Sequence, residues 1–176
     1  MKNNHHTRIT LQTLNTSSTT GILSFAAQRL RCSLGRGGIK SIKREGDGAT
    51  PRCIMPLLWV YYRPDRLSRP KTRLPTYPLN PAMGWCDDPY DANYNKPVPW
   101  PYTASAEHLW RDDHIYDLIV VLGFNILPNK KHCGSAIFWH LSREDFSPTA
   151  GCIAIKKNEM IKLLEKCSLK TKVAVR

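Results

Sequence analysis

Three short apolar runs stand out in the C-terminal half of the chain, at residues 115–124, 135–141 and 152–155. Such runs, bounded by turn residues and rich in β-branched or aromatic side chains, are typical of β-strands that are buried on both faces. The run at 115–124 is the strongest candidate of the three. The pattern therefore predicts buried strands at all three places.

The remaining pattern predicts more strands and a single helix. Residues 8–14, parts of 21–34, residues 57–62 and the tail at 169–175 fit strands, and a polar turn cluster at 15–18 separates the first two. The helix follows the third apolar run, with Asn158 as its expected N-cap and four apolar residues at helical spacing: Met160, Ile161, Leu163 and Leu164. The fold class predicted is mainly β.

The segment at residues 66–101 breaks this regularity. It holds eight of the 13 prolines and shows little hydrophobic periodicity, so it predicts a long irregular loop. Its aromatic residues indicate that the loop is ordered, because large rings are costly to leave in water: Trp85, Tyr90, Tyr94 and Trp100.

Charge narrows the choice of partners. The 26 Lys and Arg against 14 Asp and Glu give a net charge of +12, which favours anionic partners such as cell-wall polymer. The densest basic stretches, at residues 40–44 and 129–132, are short and not interleaved with aromatic rings. They fit solvated surface charge better than a nucleic-acid site, so no nucleic-acid partner is expected.

No secretory signal or membrane span is readable in the sequence. The N-terminus is polar, and no run approaches about 18 apolar residues, so stable membrane insertion is not expected. Residues 7–176 are predicted to form one domain, and residues 1–6 a disordered N-terminus.

The six cysteines are widely scattered and contain no CxxC pair. This spacing favours free thiols over a zinc site or a disulfide framework, and no metal or cofactor is expected.

One of the cysteines, Cys152, follows Gly151 at the start of an apolar strand, twelve residues after His140. A thiolate beside an imidazole is the machinery of acyl transfer, with backbone N–H groups at the Gly151 turn as an oxyanion hole. The alternative is a structural cysteine and a core histidine.

Longer stretches around these two residues resemble a known family. Residues 134–140 and 148–154 are similar to the catalytic signature of the L,D-transpeptidases with a YkuD-like domain, in their short single-domain branch. Further segments look like the same branch, in order along the chain: 35–39, 43–51, 62–66, 84–89, 94–95, 105–107, 109–111, 113 and 116–117. Together they cover roughly residues 7–166.

The resemblance implies a YkuD-like β-sandwich or barrel-like domain and a cysteine-dependent reaction on peptidoglycan. The donor is a tetrapeptide stem, cleaved between a diamino acid and D-alanine, and an amine acceptor resolves the thioester. Matched by position, Cys152 is the nucleophile, His140 the base, Gly151 part of the oxyanion hole and Thr149 the pattern's hydroxyl. Substrate contacts are expected at Arg111, Ser135 and Trp139. The substrate implies a periplasmic or cell-wall-associated protein.

Some positions depart from the family pattern and keep alternatives open. Ala150 stands where much of the family has a second histidine, Ala154 where it has Arg or Asn, and Cys53 where it tends to have glycine. An L,D-carboxypeptidase-type hydrolase and a catalytically weakened cell-wall-binding relative are therefore the alternative functions.

Two sets of matched residues also have a structural alternative. Arg111 fits a carboxylate of the stem, but it also fits an ion pair with Glu107 at i,i+4. The pairs Asp87-Asp88 and Tyr94-Asn95 can line a cleft or hold the long loop through turn hydrogen bonds.

Overall fold

The computed structural model describes residues 8–176, and the predicted disorder of residues 1–6 lies outside this range. Within the described residues, fourteen β-strands and one helix follow one another: β1 Arg8–Gln12, β2 Thr20–Phe25, β3 Gln28–Ser33, β4 Ile39–Lys40, β5 Thr50–Pro51, β6 Ile54–Tyr62, β7 Thr76–Pro78, β8 Met83–Cys86, β9 Pro97–Pro99, β10 Ala106–His108, β11 Leu118–Leu122, β12 Phe138–Leu141, β13 Ile153–Ile155, α1 Lys157–Leu164 and β14 Lys172–Val175. The mainly β prediction is confirmed.

The main sheet closes on itself. Its strands run in the order β11-β12-β13-β3-β2-β1-β14-β6, and β6 pairs back onto β11, so that the sheet is barrel-like; β7 adds to β6 as a further strand. The closure uses both ends of the described chain, since β1 lies parallel to β14 with Ile9 opposite Val173. Strand β6 can join three neighbours because β14 pairs with its first part, β7 with its last part and β11 along its other edge.

Two apolar clusters lie on opposite faces of β11 and β12. Alternate residues of a strand point to opposite faces, and here Leu118 and Val120 join the main cluster while Ile119 and Val121 join a second one. Helix α1 packs its buried residues Met160, Leu163 and Leu164 onto the main cluster. Both faces are apolar, which is why the sequence of these strands shows no alternation.

The segment at residues 66–101 is more regular than predicted. Besides β7 it contains β8 and β9, which form a separate three-stranded sheet in the order β10-β8-β9. Prolines occupy the ends of the edge strand β9, where a missing N–H is tolerated. The expectation of order is confirmed, because Trp85 and Tyr94 are 1% exposed.

The helix begins earlier than predicted. Its N-cap is Lys156, whose side chain makes no capping hydrogen bond, so the assignment of the cap to Asn158 is wrong. The backbone runs directly from β13 into the helix, which fixes the start before Asn158 is reached. Within residues 8–176, no helix has the length and apolar character needed to span a membrane.

Candidate active site

A cavity of about 560 Å³ brings the predicted nucleophile and base together. It is lined by Cys152, His140, Thr149, Ser135 and Arg111, all of which the sequence had singled out. Its wall also carries Asp87 and Glu107, for which the sequence had left alternatives open, and four charged residues to which the sequence had given no individual role: Arg36, Lys43, Glu45 and Arg143. Residues from distant parts of the chain therefore converge on one space.

The two central residues reach the cavity from neighbouring strands. Strands β12 and β13 are parallel and pair directly, with His140 opposite Ala154, so the two strands lie side by side. Cys152 immediately precedes β13 and packs in the second apolar cluster with Phe138. The thiol and the imidazole thus lie on the same face of adjacent strands.

The Cys152 thiol is enclosed and hydrogen-bonded to backbone. Its side chain is 5% exposed; Sγ–H donates to the Ala136 carbonyl at 3.2 Å, and Sγ accepts from the Phe138 N–H at 3.3 Å. Burial raises the pKa of this thiol well above its usual value, with the Glu107 charge acting in the same direction. In this arrangement Cys152 is therefore a neutral thiol.

His140 is held in one tautomer by its own neighbour. Its Nδ1 lies 3.0 Å from the Leu141 carbonyl oxygen, and because a carbonyl can only accept, Nδ1 carries the proton and the Nε2 lone pair is left for chemistry. Burial lowers the pKa of His140 to about 4, and the charges of Arg111 and Arg143 act in the same direction. The imidazole is therefore neutral at pH 7 and can accept a proton.

The turn before Cys152 depends on Gly151 and Thr149. Gly151 has φ +135°, and a Cβ there would lie 2.9 Å from the Ala49 carbonyl oxygen, so only glycine fits. The Thr149 hydroxyl donates to the Cys152 carbonyl at 2.7 Å and accepts from the Gly151 N–H at 3.1 Å. Thr149 thus shapes the turn, and the Gly151 N–H predicted for an oxyanion hole is engaged with it.

Tyr116 and Glu107 form the wall beside His140. The Tyr116 hydroxyl donates to Glu107 Oε2 at 2.7 Å, and its ring meets the imidazole edge-on with centroids 5.1 Å apart. Desolvation raises the pKa of Glu107, and the nearby charges of Asp87 and Glu45 add to the rise. Because the Tyr116 ring lies against the imidazole, it limits the space open to His140.

Ser135 is bound to a carboxylate of another loop. Its hydroxyl donates to Glu45 Oε2 at 2.8 Å, and the same oxygen accepts from the Tyr94 hydroxyl. Next to Ser135, the Ala136 N–H donates to Asn95 Oδ1 at 3.0 Å. These bonds fix the segment whose Ala136 carbonyl receives the thiol.

The Arg111 guanidinium is paired, but not with Glu107. It donates from Nε and Nη2 to Asp113 at 2.9 and 2.8 Å, so the ion pair expected with Glu107 is wrong. That pairing rule holds on helices, whereas Glu107 lies in strand β10. Arg143 also bonds Asp113, at 3.0 Å.

Trp139 is placed away from the cavity. It is fully buried in the main apolar cluster, on the face of β12 opposite to His140. A side chain enclosed there does not reach substrate in the cavity, and we leave it out of the proposed site.

The two loop pairs divide between the roles left open by the sequence. Asp87 lines the cavity, whereas Asp88 holds the loop by accepting from the Tyr90 N–H at 2.9 Å. Asn95 is 1% exposed and accepts from the Trp85 indole N–H at 3.0 Å. Each pair therefore contributes to loop structure, and Asp87 also to the cavity wall.

Several wall residues had no individual role assigned from the sequence. Arg36, Glu45 and Tyr116 nevertheless lie inside segments that resemble the family, so the resemblance was the signal that could have found them. Arg143 lies outside those segments, and only the fold brings it to the cavity.

Within residues 8–176, no group of three or more His, Cys, Asp or Glu side chains is placed to hold a metal ion. All six cysteines are free thiols.

The comparisons with known proteins give one match. The family model described as YkuD, the L,D-transpeptidase catalytic domain, matches residues 19–175. No curated protein and no solved structure gives a significant match. The family model covers nearly all of the chain, including both strands that carry Cys152 and His140. The chain therefore belongs to the family of L,D-transpeptidase catalytic domains, whose members act on the cell wall.

Proposed function

We propose that this protein is a cysteine-dependent L,D-transpeptidase that transfers the acyl group of a peptidoglycan tetrapeptide stem to an amine. The observation that carries the proposal is the placement of Cys152 and His140 on adjacent strands of one cavity. Family membership supplies the substrate class, and the cavity supplies a nucleophile, a base and backbone donors.

In the first step, the Cys152 sulfur attacks the carbonyl carbon between the diamino acid and D-alanine. The thiol proton passes to His140 Nε2, the C–N bond breaks, and the proton moves on to the D-alanine amine as it leaves. Since the Gly151 N–H is bound to Thr149, the Cys152 N–H is the amide of this turn proposed for the developing oxyanion.

In the second step, an amine attacks the thioester carbonyl. His140 takes a proton from the amine and returns it to the sulfur as the C–S bond breaks. The products are a new amide and the free thiol. Water in place of the amine gives a hydrolase with the same first step.

We infer that proton transfer follows substrate binding. The thiol donates to the Ala136 carbonyl, and within the described residues no hydrogen bond joins it to His140. With a raised thiol pKa and a lowered imidazole pKa, a preformed thiolate–imidazolium pair is unfavourable. Catalytic hydrogen bonds often tighten only in the substrate complex, and a turn of the thiol from the Ala136 carbonyl toward His140 would begin the reaction.

The proposed place of action is the periplasm or the cell wall, because the family acts there. The net charge of +12 suits an anionic wall polymer.

The test is incubation of the protein with a disaccharide-tetrapeptide, followed by mass spectrometry of products and of the intact protein. A cross-linked dimer indicates transfer, and a tripeptide without dimer indicates hydrolysis. Wild-type protein is expected to carry a thioester adduct with the mass of the donor minus its D-alanine, because D-alanine leaves as the thioester forms.

The Cys152→Ala variant is the matched control and is expected to carry no adduct. An intact adduct on that variant would remove Cys152 from the mechanism. Wall binding by wild-type protein that never forms a thioester would identify a catalytically weakened binding relative instead.

A further inference from the structure

Arg36 differs from the other cations of the cavity wall in having no partner. The other three each hold a carboxylate: Lys43 binds Asp47 at 2.5 Å, and Arg111 and Arg143 bind Asp113 at 2.8 and 3.0 Å. The Arg36 guanidinium, by contrast, makes no ion pair, side-chain hydrogen bond or cation–π contact within residues 8–176. One wall cation is therefore available to a ligand.

The aliphatic part of the Arg36 side chain is nevertheless held in place. A Cβ at Gly48 would lie 2.9 Å from Arg36 Cγ and 3.1 Å from its Nε, so the arginine side chain lies directly across this glycine. The Gly37 N–H donates to the Gly48 carbonyl at 3.0 Å, which fixes the two loops to each other. A long side chain packed in this way loses less freedom on binding than one that is unsupported.

The backbone of Arg36 is also tied to the turn of the nucleophile. Its N–H donates to the Thr149 carbonyl at 2.9 Å, and Gly35 forms a β-bridge with Thr149. The Thr149 hydroxyl in turn donates to the Cys152 carbonyl at 2.7 Å. Arg36 is thus positioned relative to Cys152 through one intervening residue.

We propose that Arg36 is a specificity-determining residue that binds a carboxylate of the donor stem peptide, an inference that rests on the function proposed above. The guanidinium fork matches a carboxylate with two parallel hydrogen bonds. Arg111, the candidate from sequence, already holds a carboxylate with its Nε and Nη2 donors, and the charge of Asp113 offsets its attraction for a second one. The carboxylate is either that of the C-terminal D-alanine or one further back in the stem.

The test measures binding without turnover. In a Cys152→Ala background, titration calorimetry with the disaccharide-tetrapeptide gives the Kd, with and without Arg36→Gln. Loss of a charge-assisted bidentate contact is expected to weaken binding by about tenfold to a hundredfold. Arg52→Gln is the charge-matched control, because Arg52 is exposed and does not line the cavity.

Amidated peptides identify the carboxylate. If Arg36 binds the D-alanine carboxylate, the C-terminal carboxamide analogue should bind the Cys152→Ala protein as weakly as the unmodified tetrapeptide binds that protein with Arg36→Gln added. Adding Arg36→Gln should then cause no further loss of affinity for the carboxamide analogue. If it binds an internal carboxylate, the analogue amidated only at internal positions shows this behaviour instead.

The failures of the two proposals are distinguishable. Two results overturn the role of Arg36 alone. One is stem binding that is unchanged by Arg36→Gln, and the other is an equal loss of binding for every amidated analogue. An effect carried by Arg111→Gln rather than Arg36→Gln also overturns it and returns the carboxylate to Arg111. No stem binding by the Cys152→Ala protein, with no thioester on the wild type, overturns both proposals.

Discussion

The two faces of β12 and β13 are organised in different ways, although they are one residue apart in sequence. On the barrel face, Trp139 and Ile153 are fully buried among apolar side chains. On the cavity face, Cys152 and His140 are each 5% exposed beside the second apolar cluster, and the thiol and the imidazole Nδ1 are also bonded to backbone. Both faces are packed with apolar side chains, and the cavity face is ordered by hydrogen bonds as well.

The bonding of the central residues shows the difference. Trp139 Nε1 is buried without a partner on the barrel face, whereas on the cavity face the thiol has two backbone bonds. An orphan donor costs stability, but this one lies away from the proposed chemistry. The residues proposed to react thus lie on one face of the sheet, and Trp139 on the other face contributes to stability alone.

The substitution expected to have the largest effect on the chemistry of the cavity face is His140→Gln, which removes the proposed proton acceptor. The rate of thioester formation with the tetrapeptide, followed by intact mass, is expected to fall about 10²- to 10⁴-fold. Trp139→Phe is the matched change on the other face and should leave the rate within a few-fold. Equal losses in both variants would contradict the separation of the faces.

Trp139→Ala breaks the barrel face instead. Removing a fully buried indole is expected to lower the free energy of unfolding by about 3–5 kcal/mol, measured by urea denaturation. Trp139→Phe should cost clearly less, because it also removes the unpaired Nε1 donor. If alanine were tolerated at this position, the burial argument would fail.

The pH dependence of stability isolates the polar face. Burial lowers the pKa of His140 to about 4 from 6.5, so the unfolded chain takes up a proton at a pH where the folded protein does not. The free energy of unfolding is therefore expected to fall as the pH drops from 6.5 to 4, by about 3 kcal/mol at most from this group. The difference in unfolding free energy between wild type and His140→Gln, measured by denaturation at each pH, should show the same fall between pH 6.5 and pH 4. Parallel curves would show that the imidazole is not kept neutral by burial.

The smallest expected effect concerns the turn that leads into β13. Thr149→Val removes the hydroxyl that bonds the Cys152 carbonyl and the Gly151 N–H, at a cost of about 1–2 kcal/mol in unfolding free energy. Thr149→Ser keeps the hydroxyl and is expected to retain most of the stability, as judged from thermal melts of both variants. A valine protein as stable as the serine protein would show that the two bonds do not order the turn.

Much of the fold was predictable from local pattern. The runs at residues 115–124, 135–141 and 152–155 contain β11, β12 and β13, because short apolar runs rich in β-branched and aromatic residues and bounded by turn residues are typical of buried strands. The strands within 66–101 were not predictable, since they are short and flanked by prolines. Their order comes from tertiary contacts such as the Trp85 and Phe138 rings, 5.0 Å apart.

The site was predictable where the family pattern is local and not where the fold decides. Cys152 and His140 lie in matched segments, and the structure brings them to one cavity. The partner of Arg111 and the orientation of Trp139 were not predictable, because they depend on strand rather than helix geometry and on which face turns inward. The availability of Arg36 depends on which carboxylates reach the other cations, and the sequence does not contain that information locally.

The pairing of β1 with β14 has a consequence for the order of events during synthesis. Residues 8–12 emerge about 160 residues before their parallel neighbour at 172–175, and β13 must also find β3, more than a hundred residues earlier. Contacts of such sequence separation slow folding. Until the last strand arrives, β1 and β6 present unpaired edges of the kind that invite association between chains. A nascent chain of this protein therefore completes its main sheet only after residues 172–175 have left the ribosome.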